Sequence, residues 1–166
     1  MTKLKLEAFS KKHLKLTFEW ISNPDLRRRF LMRGGNPSWE QHLEYSRKVL
    51  NDVQQRVYAI LVNGKHVGNC GFKNLRPLEK EGELWIYIGE GSYQGKGIGA
   101  KAVRLLLREG FEKLKLGFIC LHVAEFNAAA RRIYEKFEFK QVPLSSDEQD
   151  AWSDCGAKVL RMELRK

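Results

Sequence analysis

A glycine-rich turn at residues 94–99 has the composition and spacing of an anion-binding loop. It reads Gln94-Gly95-Lys96-Gly97-Ile98-Gly99 and joins a predicted strand to the longest predicted helix. Its glycines remove Cβ atoms that would hold a ligand away from the backbone, and the first N–H groups of the helix have no partner within it. These N–H groups and the helix dipole favour a phosphate or pyrophosphate, so the turn predicts a phosphorylated ligand.

Other glycine-rich loops fit this turn less well. A dinucleotide-binding loop requires Gly-x-Gly-x-x-Gly, whereas the spacing here is Gly-x-Gly-x-Gly, and a Walker loop ends in Gly-Lys-Ser/Thr. A flexible glycine loop without a ligand remains the alternative.

A second group of polar residues lies on the next predicted helix. Asn127, Ala130 and Tyr134 follow the pattern Asn-x-x-Ala-x-x-x-Tyr. Two helical turns separate Asn127 from Tyr134, so both side chains lie on one face of the helix. Taken alone, Tyr134 is equally well explained as a core aromatic residue.

Together the two motifs resemble the GNAT superfamily of acyl-CoA N-acyltransferases. Gln94, Gly97 and Gly99 match its Gln/Arg-x-x-Gly-x-Gly/Ala signature, and the motif that begins at Asn127 matches its second signature. The resemblance covers essentially the whole chain and is most specific over residues 83–139. One departure is Glu138, where the family usually has a glycine that forms a left-handed helix cap.

The resemblance implies transfer of an acetyl group from acetyl-CoA, the co-substrate, directly to a primary amine. Two splayed strands would hold the pantetheine arm through backbone groups, the turn would hold the pyrophosphate, and Tyr134 would protonate the departing thiolate. The residues implied to contact the cofactor are Tyr87, Ile88, Gln94, Gly95, Lys96, Gly97, Ile98, Gly99, Ala100, Asn127 and Ala130.

The general base is the catalytic group with the most candidates. An ammonium group cannot attack a thioester until it loses a proton. Glu83 lies eleven residues before Gln94, where several family members place a base, but a solvated carboxylate at a strand end is an equal alternative. His42 and His122 are rivals. His122 lies in a strand predicted to be buried, which favours a core histidine with satisfied hydrogen bonds.

The other elements must position these residues. The pattern predicts an α/β (α+β) fold with a GNAT-like mixed, mostly antiparallel central sheet of about 6–7 strands and helices on both faces, in one domain spanning residues 1–166. Strands are predicted at 4–6, 57–62, 65–72, 83–88, 118–123, 139–142 and 159–164, and helices at 11–21, 38–51, 98–114 and 127–136, with a short helix between the first two. Residues 145–156 are predicted to form a polar, acidic loop.

Two local signals support this order. Ser38 and Gln41 have the spacing of a capping box, and the helix behind them is predicted to bury Leu43, either Tyr45 or Ser46, and Leu50. Asn63-Gly64 predicts a tight hairpin, because both turn positions favour positive φ.

Composition excludes several classes of protein. The chain has 43% hydrophobic and 30% charged residues, which is typical of a soluble domain. It contains no apolar stretch long enough to cross a bilayer and no secretory signal, so we expect a cytoplasmic location without membrane association. Its three cysteines are scattered, and no metal is predicted.

The net charge of +10 suits a polyanionic partner. No basic stripe with exposed aromatic residues is present, so we do not expect nucleic acid binding. The first half of the chain resembles the branch that acts on nucleotide-linked amino sugars, and the arginines at 27–29 and 33 lie near the predicted pocket. The candidate acceptor-binding residues are Arg28, His42 and Phe72.

Other acceptors and one other class remain open. The same branch includes polyamine and ribosomal-protein N-terminal acetyltransferases, although a cationic polyamine would prefer an acidic pocket. A non-catalytic acetyl-CoA or nucleic-acid binding protein is the alternative from another class. The closing strands and the acidic loop are a candidate edge for a homodimer.

Overall fold

The computed structural model describes residues 1–166 and contains the seven predicted strands and six α-helices, one helix more than predicted. The strands are β1 (Leu4–Ala8), β2 (Arg56–Val62), β3 (Lys65–Arg76), β4 (Glu81–Ile88), β5 (Phe118–Ala124), β6 (Lys140–Val142) and β7 (Val159–Arg165). The helices are α1 (Leu14–Ile21), α2 (Pro24–Arg29), α3 (Trp39–Leu50), α4 (Ile98–Arg108), α5 (Ala128–Lys136) and α6 (Ser146–Trp152). None of the helices has both the length and the apolar character that a membrane span requires.

All seven strands form one sheet in the order β1-β2-β3-β4-β5-β7-β6. Every neighbouring pair is antiparallel except β4 and β5, which confirms the predicted mixed, mostly antiparallel sheet. The parallel pairing is short, since it joins only Glu81–Glu83 to Phe118–Cys120. Beyond Glu83 and Cys120 the two strands no longer pair, and we call the opening between them the β4–β5 gap.

Helices cover both faces of the sheet, as predicted. On one face α4 packs over β1, β3 and β4, and its Leu106 joins a core that includes Leu84 and Leu121. On the other face α1 and α2 place Trp20 and Leu26 against Tyr87. The β4–β5 gap therefore has the main core on one side and a layer of aromatic side chains on the other.

The two local signals in the sequence are confirmed. Asn63 and Gly64 form the hairpin turn with φ of 50° and 84°. Ser38 Oγ accepts a hydrogen bond from the Gln41 N–H at 3.1 Å, and Gln41 Oε1 accepts one from the Ser38 N–H at 2.8 Å. Side-chain oxygens thus satisfy backbone donors at the start of α3 and fix where it begins.

The predicted inner face of α3 is wrong except at Ser46. Leu43 and Leu50 are 39% and 43% exposed, whereas His42 and Ser46 are buried. Leu43 and Leu50 have helical spacing, and so do His42 and Ser46. The side with His42 is buried because this residue hydrogen-bonds to α1, and a hydrophobic pattern cannot reveal such a bond.

The predicted loop at residues 145–156 is also wrong in part, because α6 forms within it. Ser145 caps this helix by accepting from the Glu148 N–H at 3.2 Å, and Glu148 Oε2 accepts from the Ser145 N–H at 2.9 Å. The sequence contains the Ser-x-x-Glu spacing of a helix cap, but the segment that follows it has no apolar face that would indicate a helix. This helix covers β5 and β7 and brings Trp152 over His122.

The helix cap that Glu138 put in question is present, since Glu138 itself adopts a φ of 69°. A left-handed conformation costs a residue other than glycine about 1 kcal/mol or more. We therefore expect Glu138→Gly to raise the free energy of unfolding by about 1 kcal/mol in urea titrations. Glu135→Gly, inside α5, is the matched control and should lower it by about 1 kcal/mol. A lower stability for Glu138→Gly would contradict the prediction.

Candidate active site

Two glycines give the turn at the start of α4 its shape. Gly95 and Gly97 have φ of 71° and 76°, and a Cβ placed on either would meet no atom within 4 Å. These positions therefore combine a backbone conformation that favours glycine with open space on the ligand side. Gly99 has a different role, since a Cβ there would lie 3.2 Å from Ile133 Cδ1. It allows α4 and α5 to pack closely.

A continuous run of backbone donors lines this turn. The first hydrogen bond of α4 joins the Lys101 N–H to the Gly97 carbonyl at 3.2 Å, and the first turn contains no acidic residue. The preceding N–H groups have no acceptor within the protein, and they belong to Gly95, Lys96, Gly97, Ile98, Gly99 and Ala100. Six unsatisfied donors at the positive end of a helix dipole fit a pyrophosphate, so the residues present suit coenzyme A.

The Gln94 side chain connects the turn to β4 and α2 by hydrogen bonds. Its Nε2 donates to the Ile88 carbonyl at 2.8 Å, and its Oε1 accepts from Arg29 Nη1 at 3.3 Å. Gln94 thus joins the turn to the end of β4 and to α2, and acts on a ligand through the position of the turn.

The open edge of β4 lines the β4–β5 gap. The Gly89 N–H donates to the Val67 carbonyl at 2.9 Å, so in the register of the β3–β4 pair the Tyr87 backbone also points to β3. The backbone groups of Ile86 and Ile88 point to the gap instead. The register therefore favours Ile86 over Tyr87 for backbone contact with a ligand in the gap, and the pantetheine contact of Tyr87 stays a prediction. Strand register is not visible in the sequence of one strand.

Asn127 lies across the gap from β4, directly after β5. Its Oδ1 caps α5 by accepting from the Ala130 N–H at 3.3 Å, as the sequence indicated. Its Nδ2 has no acceptor in the protein and remains available to a ligand in the gap.

Tyr134 combines a packed ring with an unpaired hydroxyl group. The ring is 6% exposed and lies 5.8 Å from the Phe139 ring. The hydroxyl makes no hydrogen bond, and it reaches solvent because the only fully buried side-chain atoms without a partner are Arg27 Nε and His42 Nδ1. Burial raises the pKa of Tyr134, so the hydroxyl keeps its proton at neutral pH and can donate it.

Glu83 lies at the closed end of the gap, where three groups surround its carboxylate. Its Oε1 is 2.8 Å from His122 Nδ1 and 3.5 Å from Lys73 Nζ, and its Oε2 accepts from Asn74 Nδ2 at 2.9 Å. Burial opposes ionisation, but the hydrogen bond to His122 and the Lys73 charge outweigh it and lower the pKa of Glu83 to about 2. Such a carboxylate is a weak proton acceptor at neutral pH, which disfavours the prediction that Glu83 is itself the base.

His122 lies next to Glu83 at the closed end of the gap. Each of its ring nitrogens faces a carboxylate, since Nδ1 lies 2.8 Å from Glu83 Oε1 and Nε2 lies 3.3 Å from Glu148 Oε1. It nevertheless lines a cavity of about 450 Å³ at the closed end of the gap, which we call the His122 cavity. Trp152 of α6 and Arg33 of the α2–α3 loop form part of its wall.

Two of the predicted acceptor-binding residues lie elsewhere. His42 Nε2 donates to the Leu14 carbonyl at 3.0 Å and ties α3 to α1, and burial lowers the pKa of this histidine. Phe72 is fully buried in the main core, where it lies against Gly110. Neither residue lines the His122 cavity, and a role of either one in acceptor binding stays a prediction. An apolar residue in an alternating strand can face either side, and Phe72 faces α4.

Arg28 lies at the mouth of the β4–β5 gap. Its guanidinium is 4.5 Å from the centre of the Phe126 ring, next to Asn127, while the adjacent Arg29 reaches Gln94 on the opposite wall. Helix α2 therefore contacts both walls of the gap.

The basic residues of α2 and its following loop have no carboxylate partners. They interact only with carbonyl and amide oxygens and with aromatic rings, and they are Arg27, Arg28, Arg29 and Arg33. Arg33 lies 4.0 Å from the centre of the Trp152 ring. The other cations in the wall of the His122 cavity are all paired, as Arg76–Glu81, Lys73–Glu83 and Arg161–Glu148. The unpaired charge of this cavity is thus positive.

Comparisons with known proteins agree with this geometry. Residues 3–140 match the model of the acetyltransferase (GNAT) domain. An N-acetyltransferase 9-like protein of Caenorhabditis briggsae is 27% identical over 146 residues, which cover 81% of this chain and 73% of that protein. Acetyltransferase PseH of Campylobacter jejuni is 22% identical over 155 residues, or 92% of each chain.

The same fold occurs in a spermidine N-acetyltransferase from Vibrio cholerae, solved in complex with CoA and spermine. The two structures superpose with a TM-score of 0.84 at 20% identity, over 98% of this chain and 95% of that one.

Proposed function

Because the chain belongs to the GNAT acetyltransferase family and uses acetyl-CoA as its co-substrate, we propose that it acetylates the primary amine of an acceptor that also carries an anionic group, such as a nucleotide-linked amino sugar. The observation that carries the choice of acceptor is the set of unpaired arginines on α2 and its following loop. Only the identity of the acceptor amine is proposed, because the acyl donor is acetyl-CoA for every candidate acceptor.

The chain offers a separate group for each part of coenzyme A. The unsatisfied N–H groups from Gly95 to Ala100 bind the pyrophosphate. The backbone groups of Ile86 and the Ile88 N–H hold the pantetheine arm, since the Ile88 carbonyl already accepts from Gln94, and Asn127 Nδ2 donates to the arm from the opposite wall. Acetyl-CoA would supply the activated acyl group.

The protein residues stabilise charge and move protons. The Ile86 N–H donates to the thioester oxygen, on which negative charge develops as the amine attacks. The Tyr134 hydroxyl, which has no partner in the protein, donates its proton to the leaving sulfur. No acyl-enzyme is needed, because the amine attacks the thioester carbon directly.

The charges near the His122 cavity favour an anionic acceptor over a polyamine. A polycation requires free carboxylates, and the three carboxylates in the cavity wall are each paired with a cation. An anionic acceptor requires free cations, and Arg33 provides one on the wall of the cavity. The likeness to a spermidine N-acetyltransferase keeps a polyamine as the second candidate.

A panel of amines with acetyl-CoA tests the proposal by release of free thiol. A nucleotide-linked amino sugar should react with a higher kcat/KM than the free amino sugar or spermidine. Preference for spermidine would favour the second candidate. Thiol release with none of the amines, with acetyl-CoA bound, would mean that the proposed function is wrong.

Arg33→Gln should raise KM for an anionic acceptor by about tenfold, because it removes a charged hydrogen-bond donor, and should leave kcat and the affinity for acetyl-CoA unchanged. Steady-state kinetics measure this difference. Arg104→Gln is the matched control, since Arg104 lies on α4 near Phe137 and away from the cavity. An unchanged KM in Arg33→Gln would exclude Arg33 from acceptor binding.

A further inference from the structure

The closed end of the β4–β5 gap brings together residues that are far apart in sequence. The last paired residues of the two strands are Glu83 and Cys120. His122 points to the same face as Cys120 and is the first residue of β5 on this face beyond the last pair. Its imidazole therefore stands where the His122 cavity meets the gap.

On the basis of the proposed function, we propose that His122 is the catalytic base, which takes the proton of the acceptor amine on Nε2, and that Glu83 is a positioning residue. Glu83 holds the proton of the neutral imidazole on Nδ1 and leaves Nε2 as the accepting atom.

The contacts of Glu83 suit a positioning role. Its 2.8 Å contact with His122 Nδ1 is shorter than the contact of His122 Nε2 with Glu148. Asn74 and Lys73 hold the carboxylate in place from β3. Because the pKa of Glu83 is lowered to about 2, the carboxylate stays ionised at neutral pH and accepts the Nδ1–H throughout.

The Nε2 side of the ring is the side that can exchange partners. Its 3.3 Å contact is to Glu148 Oε1, and this same oxygen accepts from Arg161 Nη1. Glu148 is thus bound by Arg161 on β7, and its carboxylate cannot donate a hydrogen bond to the unprotonated Nε2 of the neutral ring, so Nε2 stays open to an incoming amine. The neighbouring thiol is no rival, since burial raises the pKa of Cys120 to about 11.

The charged and titratable groups around His122 come from every element packed against it. They are Glu83 on β4, Cys120 on β5, Lys73 on β3, Glu148 on α6 and Arg161 on β7. Trp152 covers the ring from α6, with the two ring centres 5.4 Å apart. The ring of His122 lies between the carboxylates of Glu83 and Glu148.

The protons of the reaction balance with these groups. The ammonium form of the acceptor loses one proton to His122 Nε2 before attack, and this proton then passes to solvent. The new C–N bond forms as the C–S bond breaks, and Tyr134 protonates the sulfur. The second proton leaves the nitrogen as the amide forms and replaces the one that Tyr134 has given.

His122→Gln tests this assignment through the pH dependence of kcat/KM. We expect a loss of roughly 10²-fold near pH 7, with the affinity for acetyl-CoA within about twofold of the wild-type value. The loss should shrink as the pH approaches about 10, where an alkyl amine loses its proton without help. Glu148→Gln is the control and should lose less than about tenfold, because it leaves both His122 and Glu83 in place.

A loss below about threefold in His122→Gln, or a loss that stays constant from pH 6 to 10, would overturn the assignment. A wild-type protein without activity toward any amine would instead contradict the proposed function.

Glu83→Gln should reduce kcat by about tenfold at unchanged affinity for acetyl-CoA. NMR of the wild-type protein labelled with ¹⁵N-histidine tests the positioning role without a variant. The neutral His122 ring should carry its proton on Nδ1, and a proton on Nε2 would refute the proposal.

Discussion

Gly97→Asp is expected to abolish binding of acetyl-CoA, with a loss of at least about 10²-fold in affinity. Gly97 is the N-cap of α4, and its Cβ direction is open for at least 4 Å on the side where the unsatisfied N–H groups converge. An aspartate there would place a carboxylate next to the pyrophosphate and would itself accept from the N–H groups that bind it. Isothermal titration calorimetry with acetyl-CoA measures the loss directly.

The chain contains a matched control for the strain that this change introduces. Gly64 also has a positive φ, of 84°, and also has no atom within 4 Å of its Cβ direction, but it lies in the β2–β3 hairpin. Gly64→Asp adds the same charge and a similar backbone strain, so the two variants should lose similar stability. Only Gly97→Asp should lose binding. Normal affinity in a folded Gly97→Asp protein would mean that the turn does not bind the pyrophosphate.

Tyr134→Phe is expected to lower kcat by about 10²-fold or more while the affinity for acetyl-CoA stays the same. The ring is held by core contacts that phenylalanine keeps, so the variant removes only the hydroxyl group. That hydroxyl has no other partner in the protein, and its loss leaves no buried group unsatisfied. Single-turnover kinetics with saturating acetyl-CoA separate the chemical step from binding.

Tyr58→Phe is the control for loss of a tyrosine hydroxyl group. Tyr58 donates to Glu109 at 3.4 Å on the α4 side of the sheet, and burial and the Glu109 charge raise its pKa to about 12. Its removal should leave kcat unchanged. Equal losses of kcat and cofactor affinity in Tyr134→Phe would indicate a structural role for the hydroxyl.

Because the pKa of Tyr134 is raised, activity should not fall through loss of its proton as the pH rises to about 10.

Most of the fold could be predicted because its signals are local. The hairpin at Asn63-Gly64 and the start of α3 at Ser38 follow from backbone preferences and side-chain caps that act within four residues. Helix α6 was missed although Ser145 and Glu148 have the spacing of a capping box, since a short polar helix lacks the apolar stripe that marks longer ones. At Glu138 the local preference is misleading instead, because the helix cap forms there although glutamate disfavours a positive φ.

The candidate site also has some features that the sequence predicts and others that it does not. The turn from Gln94 to Ala100 was recognised from its glycines, because a phosphate site made of backbone groups depends on local conformation. Sequence reasoning placed Tyr87 in the gap in place of Ile86, since the facing edge depends on which residues pair with β3. It also placed His42 in the pocket, although a single hydrogen bond to Leu14 directs that ring into the protein.

By itself, the sequence determined the glycine turn before α4, the Asn127 cap and the order of the strands and of most helices, and through them the family. These features depend on backbone conformation and on contacts within a few residues. Only the tertiary structure decided how β4 and β5 separate and how Glu83 meets His122, 39 positions along the chain. It also decided which cations of the cavity stay unpaired. Charges and proton transfer depend on distances across the sheet, and these distances arise only when the whole chain packs.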